Sequence, residues 1–315
     1  MILDKLYLHM IKQAIIPLAG LGTRLLPLTS VFAKELLPIN GKPGIEYILD
    51  ECVQAGIKEI VFIISKKKNI IKKYFYNDKF YKKILKKKKD KRLNSEYKKI
   101  LKYRKMIKFV YQTTPKGPGD AVLKTKKYIK DKYFLMLLPD DLIIKKNCSK
   151  DMIKIFKKKK CSVMASMIVK KNNVSRWGIY SVISKIDKNN FYIKDVIEKP
   201  KIKEAPSRNA VIGRYILPNE IFSKLKKQKK GKGGEIHITD SIRSLINDGN
   251  QFIGHNFAGE YLDCGTMDGY INSSNRISKL WNYAWLVLDT LAWLVVYALR
   301  TLEITLFVLI KTNLK

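Results

Sequence analysis

An α/β fold with a parallel sheet is predicted by three observations. First, an apolar run over 14–18 reads as a buried strand and is followed at once by a glycine turn, Ala19-Gly20-Leu21-Gly22-Thr23-Arg24. Second, the stretch 43–55 carries Ile45, Ile48, Leu49, Cys52 and Val53 at helical spacing, ends at Gly56, and leads to a second apolar run over 59–64. Strand, loop, helix and strand make a βαβ unit, whose right-handed crossover lays the two strands parallel. Third, the apolar run 133–138 ends in Pro139-Asp140-Asp141, which puts carboxylates at the strand end where open α/β sheets bind ligands.

Each element then follows in order. Glycines just after a strand bring backbone N–H groups close to phosphate oxygens, and Arg24 and Lys34 add two cations beside that loop. The pattern suggests a polyphosphate, although a glycine pair after a strand is often only a tight turn. Residues 66–105 form a lysine-dense tract with Tyr74, Phe75, Tyr76, Phe80 and Tyr81 interleaved. Helical spacing favours an amphipathic insertion with aromatics inward and lysines solvated, over a surface on which bases stack. A strand over 107–112 precedes Thr114-Pro115-Lys116-Gly117-Pro118-Gly119 and a helix from about 120 to 129. Gln112, at that strand end, has an amide that both donates and accepts, as a uracil edge requires; strand-end glutamines are otherwise ordinary surface. Asp140 offers a hard oxygen suited to Mg²⁺ beside a substrate phosphate, or equally a turn or helix cap.

Four further strands over 162–169, 177–184, 191–198 and 209–217 read as antiparallel, joined by turns at Asn172-Asn173 and 187–190. Glu198 can accept from sugar hydroxyls and Lys199 can meet a phosphate dianion, in a pair otherwise common on surfaces. Residues 231–234 read as a flexible loop and Thr239 as the N-cap of the next helix. His237 and His255 have no metal spacing and read as structural or exposed. Tyr261-Leu262-Asp263-Cys264-Gly265 places a second acid at a strand end; with Asp140 it would complete a two-carboxylate magnesium site.

The 315 residues carry 63 Lys and Arg against 27 Asp and Glu, a formal net charge of +36. The lysines are dispersed and no sequence-reading motif accompanies them, so solvated faces account for the excess and no nucleic acid is expected. Cys52, Cys148, Cys161 and Cys264 show neither zinc nor disulfide spacing, which suits a cytoplasmic location. Residues 1–10 read as an extension without signal-peptide character, 11–279 as the working domain and 280–315 as an apolar tail. The tail is long enough to span a bilayer, yet Asp289, Arg300 and Glu303 interrupt it. A membrane anchor, an interfacial helix and an oligomerisation helix therefore compete.

In these residues the chain closely resembles bacterial UTP–glucose-1-phosphate uridylyltransferases, among the sugar-phosphate nucleotidyltransferases. The resemblance runs from about Gln13 to Tyr270. It rests on eight motifs in the family's order: the 19–24 loop, Lys34-Glu-Leu-Leu-Pro38, Gly117-x-Gly119, Leu138-Pro-Asp140, Val196-Ile-Glu-Lys-Pro200, Val211-Ile-Gly-Arg-Tyr215, Glu235-Ile-x-Ile-Thr-Asp240 and Asp263-Cys-Gly265. It implies a Rossmann-like nucleotidyltransferase fold with a mixed central sheet and an inserted sugar-binding subdomain. It also implies Mg²⁺-dependent attack of glucose 1-phosphate on the α-phosphorus of UTP, in a homo-oligomer. By motif, Ala19, Gly20, Leu21, Gly22, Gln112 and Gly117 would hold the uridine, and Arg24 and Lys34 would neutralise the triphosphate. Asp140 and Asp263 would hold Mg²⁺. Gly178, Glu198 and Gly213 would meet the sugar and Lys199 its phosphate. A thymidylyl- or cytidylyltransferase, or an inactive basic binding protein, are the alternatives. The chain departs from the family pattern at Ala33, usually proline, at Gly44, usually larger, at Asp120, often histidine, and at Thr266-Met267-Asp268.

Overall fold

The computed structural model describes residues 11–231 and 234–282. The readings of 1–10 as an extension and of the apolar tail beyond residue 282 lie outside these residues, as does the middle of the 231–234 loop. Among the described residues no helix is long and apolar enough to cross a membrane.

The chain begins β1 (Gln13–Pro17), α1 (Gly44–Gln54), β4 (Glu59–Ile64), with the small ribbon β2 (Pro38–Ile39) and β3 (Lys42–Pro43) leading into α1. β1 and β4 pair in parallel, as the βαβ unit requires. β5 (Ile107–Tyr111) extends the parallel set beyond β4, and β6 (Tyr133–Leu137) flanks β1 on its other side. β1, β4 and β6 are near-continuous apolar runs because both faces are covered. Side chains alternate between faces: Ile16, Phe62 and Leu135 enter one core, while Ile15, Val61 and Phe134 enter the other.

The rest of the sheet is mixed. β11 (Asn209–Pro218) runs antiparallel to β6 and continues to β8 (Ser162–Ile168). β12 (Phe252–Asn256) pairs in parallel with β8, and β10 (Asn190–Glu198) and β9 (Gly178–Lys185) complete the order β5-β4-β1-β6-β11-β8-β12-β10-β9. The long β11 also pairs with β9 at Ala210 and Ile179, which curls the antiparallel end back over the sheet. A separate ribbon, β7 (Asp141–Ile144) against β13 (Glu260–Asp263), brings residues 116 to 122 apart in sequence into register.

The lysine tract folds as α2 (Asn69–Tyr76), α3 (Asp78–Lys87) and α4 (Lys91–Met106), the last capped by Asp90, which accepts from the Arg92 and Leu93 amides. Phe75 and Tyr103 are buried and Tyr81 stacks on Tyr97 at 5.1 Å, as an amphipathic insertion predicts. Phe80 and Tyr76 point outward instead, 60% and 46% exposed, so the aromatics do not all face inward.

The helix predicted over 120–129 is shorter and earlier: α5 (Pro118–Leu123) starts on Pro118, whose missing N–H costs nothing at a first helical turn. The expected turn at Asn172-Asn173 is a short 3₁₀ stretch, Lys171–Arg176. Later helices are α6 (Cys148–Lys159), α7 (Ile221–Lys227), α8 (Ile238–Asn247) and α9 over 267–282. Thr239 is not the N-cap of α8. His237 holds that position and Thr239 is buried in the first turn. The four cysteines are free and buried.

Candidate active site

The glycine turn after β1 is shaped by Gly22, whose φ of 72° lies in the left-handed region that an L side chain resists. Its carbonyl accepts from the Thr29 hydroxyl at 2.8 Å, folding the loop back toward Lys34. Arg24 stands on the first 3₁₀ turn that follows, Thr23–Leu25, and Lys34 on the third, Lys34–Leu36. Lys34 Nζ lies 2.7 Å from Asp140 Oδ2, and the Arg24 guanidinium lies 3.8 Å from the same oxygen. Burial opposes charge on both members of the Lys34–Asp140 pair, but their mutual attraction wins. The lysine titrates above its ordinary value and the aspartate below.

Asp140 and Asp263 converge because the β7–β13 ribbon pairs Asp141 with Asp263 and the Cys264 amide donates to the Asp140 carbonyl at 2.8 Å. A Cβ placed on Gly265 would sit 2.9 Å from Asp140 Oδ2 and 3.2 Å from Asp263 Oδ1, so both carboxylates border one point. Asp263 Oδ1 accepts from the Gly265 amide, and Arg176 lies 3.5 Å from Oδ2. Among the described residues no cluster of three or more His, Cys, Asp or Glu forms a closed metal cage. Two hard carboxylates open to a ligand are the donor set expected of a magnesium ion that completes its shell with phosphates and water. The residues fit such an ion.

Asp141 does different work. Its Oδ2 accepts from the Gly213 amide at 2.8 Å and its Oδ1 from the Tyr261 hydroxyl at 2.7 Å. Burial and the neighbouring Asp140 charge push its carboxyl up to about 6. A Cβ on Gly213 would strike Asp141 Oδ2 and the Leu138 Cβ, both at 2.5 Å, so only glycine lets β11 approach this segment. Behind it, the fully buried Arg214 donates to the carbonyls of Leu138, Gly213 and Asp141 and pairs with Glu51 of α1.

A cleft of about 240 Å³ opens between these acids and the antiparallel part of the sheet. Arg24, Asp140, Asp263, Gly178, Glu198, Lys199 and Gly213 all line it. Glu198 ends β10 opposite Gly178 of β9, and the Lys199 amide donates to the Trp177 carbonyl at 3.1 Å. Lys199 itself adopts a φ of 45°, an uncommon conformation for a non-glycine residue. The sequence reading had not singled out Arg176, Trp177 or Tyr261, which line the same cleft. The Trp-Gly pair that opens the strand predicted over 177–184 and the Tyr two residues before Asp263 are the available signals.

The remaining residues do not line this cleft. Lys34 joins it through Asp140. Gln112 follows directly on β5 and is buried, its Nε2 donating to Asp120 Oδ2 at 2.8 Å and to the Gly117 carbonyl at 3.3 Å. The expectation that its amide would both donate and accept toward a base is thereby narrowed, since both N–H groups have partners within the protein. Gly117 packs against Glu235 and Ile236, and the Gly119 amide donates to the Ile236 carbonyl at 2.7 Å. His255, buried, hydrogen-bonds Asn190 on β10 far from the acids, a structural role.

A mixed α/β sheet with paired acids and cations at its strand ends defines a protein that handles phosphate esters. The family model for nucleotidyl transferases matches residues 13–279, and the chain belongs to that family. A UTP–glucose-1-phosphate uridylyltransferase of Mycoplasma pneumoniae is 36% identical over 266 residues, 84% of this chain and 91% of the relative. A UDP-glucose pyrophosphorylase solved in complex with UDP-glucose superposes with a TM-score of 0.76 at 35% identity, covering 86% of this chain and 99% of that one. A UTP-bound enzyme from Acinetobacter baumannii superposes with a TM-score of 0.78 at 30% identity, covering 89% and 99%.

Proposed function

We propose that this chain transfers a uridylyl group from UTP to α-D-glucose 1-phosphate, forming UDP-glucose and pyrophosphate. The observation that carries the reading is that Arg24, Asp140, Asp263, Glu198 and Lys199 line one cleft. Groups that neutralise phosphate and groups suited to a sugar phosphate thus share one site. The names of the relatives point the same way.

A phosphate oxygen of the sugar attacks the α-phosphorus of UTP in line, and the bond from that phosphorus to the β-phosphate oxygen breaks as pyrophosphate leaves. The attacking oxygen belongs to a phosphate that is already anionic, so the chemistry rests on positioning and charge. Lys199 holds the attacking phosphate and Glu198 accepts from the sugar hydroxyls, with Gly178 and Gly213 leaving room for the ring. Arg24 and Lys34 take up the negative charge that moves to pyrophosphate. Gln112, Gly117 and the Ala19–Gly22 backbone hold the uridine. Asp140 and Asp263 would hold a magnesium ion, which when bound neutralises the triphosphate and polarises the α-phosphate.

The test is pyrophosphate release from UTP, dTTP and CTP with glucose 1-phosphate, in Mg²⁺ and again in excess chelator. Turnover is expected with UTP and Mg²⁺ and should vanish on chelation. Equal or faster turnover with CTP or dTTP, or turnover indifferent to chelator, would overturn the assignment.

A further inference from the structure

Gln112 and Asp120 are each only 5% exposed, and they meet end to end, Gln112 Nε2 to Asp120 Oδ2 at 2.8 Å. An ionised carboxylate only accepts hydrogen bonds, so it can face the NH₂ end of a side-chain amide and not the carbonyl end. The second N–H is directed to the Gly117 carbonyl, another pure acceptor. Both neighbours therefore demand the same amide orientation. The Lys124 ammonium stands 3.6 Å from the other Asp120 oxygen and leaves Oδ2 to Gln112. Gln112 Oε1 takes no hydrogen bond from the described residues and is not among the buried polar atoms sealed without a partner. It is the one end of this side chain left for a ligand.

We propose that Asp120 is a positioning residue that locks Gln112 with both N–H groups turned inward, so that the site presents only an acceptor and selects pyrimidines carrying an N3–H. Uracil and thymine supply that donor. Cytosine presents a bare N3 lone pair to the same oxygen, an acceptor facing an acceptor. The inference rests on the uridylyl-transfer reading for the place of Gln112 beside the base. It goes beyond that reading in assigning base selectivity to Asp120.

The test reads nucleotide binding by calorimetry without glucose 1-phosphate, for UTP and CTP, on the full chain and on Asp120→Asn, Asp120→Ala and Gln112→Met. Asp120→Asn keeps size and shape while allowing either amide orientation, and Gln112→Met sets the ratio when no acceptor is present. The full chain is expected to prefer UTP about tenfold or more, the scale set by an unpaired buried polar group. Both Asp120 variants should shift that ratio toward the Gln112→Met value, because a merely structural Asp120 would weaken both nucleotides alike and leave the ratio still. Folded Asp120 variants that keep the full chain's ratio, or a full chain without preference, would overturn the proposal. A chain that prefers UTP over CTP in binding yet forms no UDP-glucose would sink the reaction and leave this inference standing.

Discussion

Single residues carry the most exposed claims of the reaction. Lys199 lines the cleft next to Glu198 with no acidic partner recorded among the described residues, which leaves its ammonium for a phosphate. Lys199→Ala should lower kcat by two to three orders of magnitude or roughly 3–4 kcal/mol, the scale of a lost transition-state electrostatic contact. Near-normal turnover, measured by pyrophosphate release, would remove Lys199 from the mechanism. Lys34 differs because it is already held by Asp140. Lys34→Met should lower kcat similarly and also raise the Mg²⁺ concentration needed, since Asp140 loses its positioning partner; a magnesium titration separates the two effects. At this scale the sequence was informative wherever a charged residue followed an apolar run, because burial of the run fixes where the charge emerges. It was silent where partners come from distant segments. Arg214 read only as one letter of Val211-Ile-Gly-Arg-Tyr215, and nothing local showed that it would tie the Asp140 segment to α1.

At the scale of elements, that buried Arg214–Glu51 pair joins β11, α1 and the turn after β6. Glu51 also accepts from the Ser149 amide at the start of α6. Glu51→Ala leaves a guanidinium buried without its counter-charge and should cost about 3–5 kcal/mol in denaturant unfolding. Arg214→Met with Glu51→Leu together should cost less than Glu51→Ala alone, because no unpaired charge remains. The β7–β13 ribbon is held from outside by Glu260, which bonds Arg276 of α9 and meets Lys145 at 2.7 Å. The hydrogen bonds from Arg276 and then Lys145 hold its carboxyl down at about 2 against an ordinary 4.5. A depressed carboxyl stabilises the fold above the unfolded value and loses that contribution as pH falls from about 4.5 to about 2. Both cations are nearly half exposed, so the contribution is about 1 kcal/mol after screening. The drop in Tm between pH 6 and pH 3 should be smaller in Glu260→Gln than in the full chain. Element existence was legible from periodicity, as β1, α1 and β4 demonstrate. The end of the 118–123 helix was not, because nothing local to Lys124 and Thr125 marks a stop.

Across the whole molecule, two kinds of sheet meet at the cleft. The parallel strands β5-β4-β1-β6 carry the glycine loop and Asp140, and the antiparallel strands β10 and β11 bring Glu198 and Gly213. The βαβ unit announced the first half in its hydrophobic pattern. The second half was legible as short antiparallel strands, but their order depends on β12 slotting in parallel beside β8, a long-range pairing that no local pattern encodes. The convergence of Asp140 with Asp263 depends likewise on the β7–β13 register, which the sequence could only offer as a condition.

The central claim is that these two halves hold the two reactants of one transfer. The most direct measurement is UDP-glucose formation from UTP and glucose 1-phosphate in Mg²⁺, by the full chain and by variants changed at Asp263 or at Lys199. Turnover is expected from the full chain and severe loss in both Asp263→Asn and Lys199→Ala, with UTP binding kept in Lys199→Ala. A full chain that forms no UDP-glucose, or variants that form it at the full rate, would contradict it.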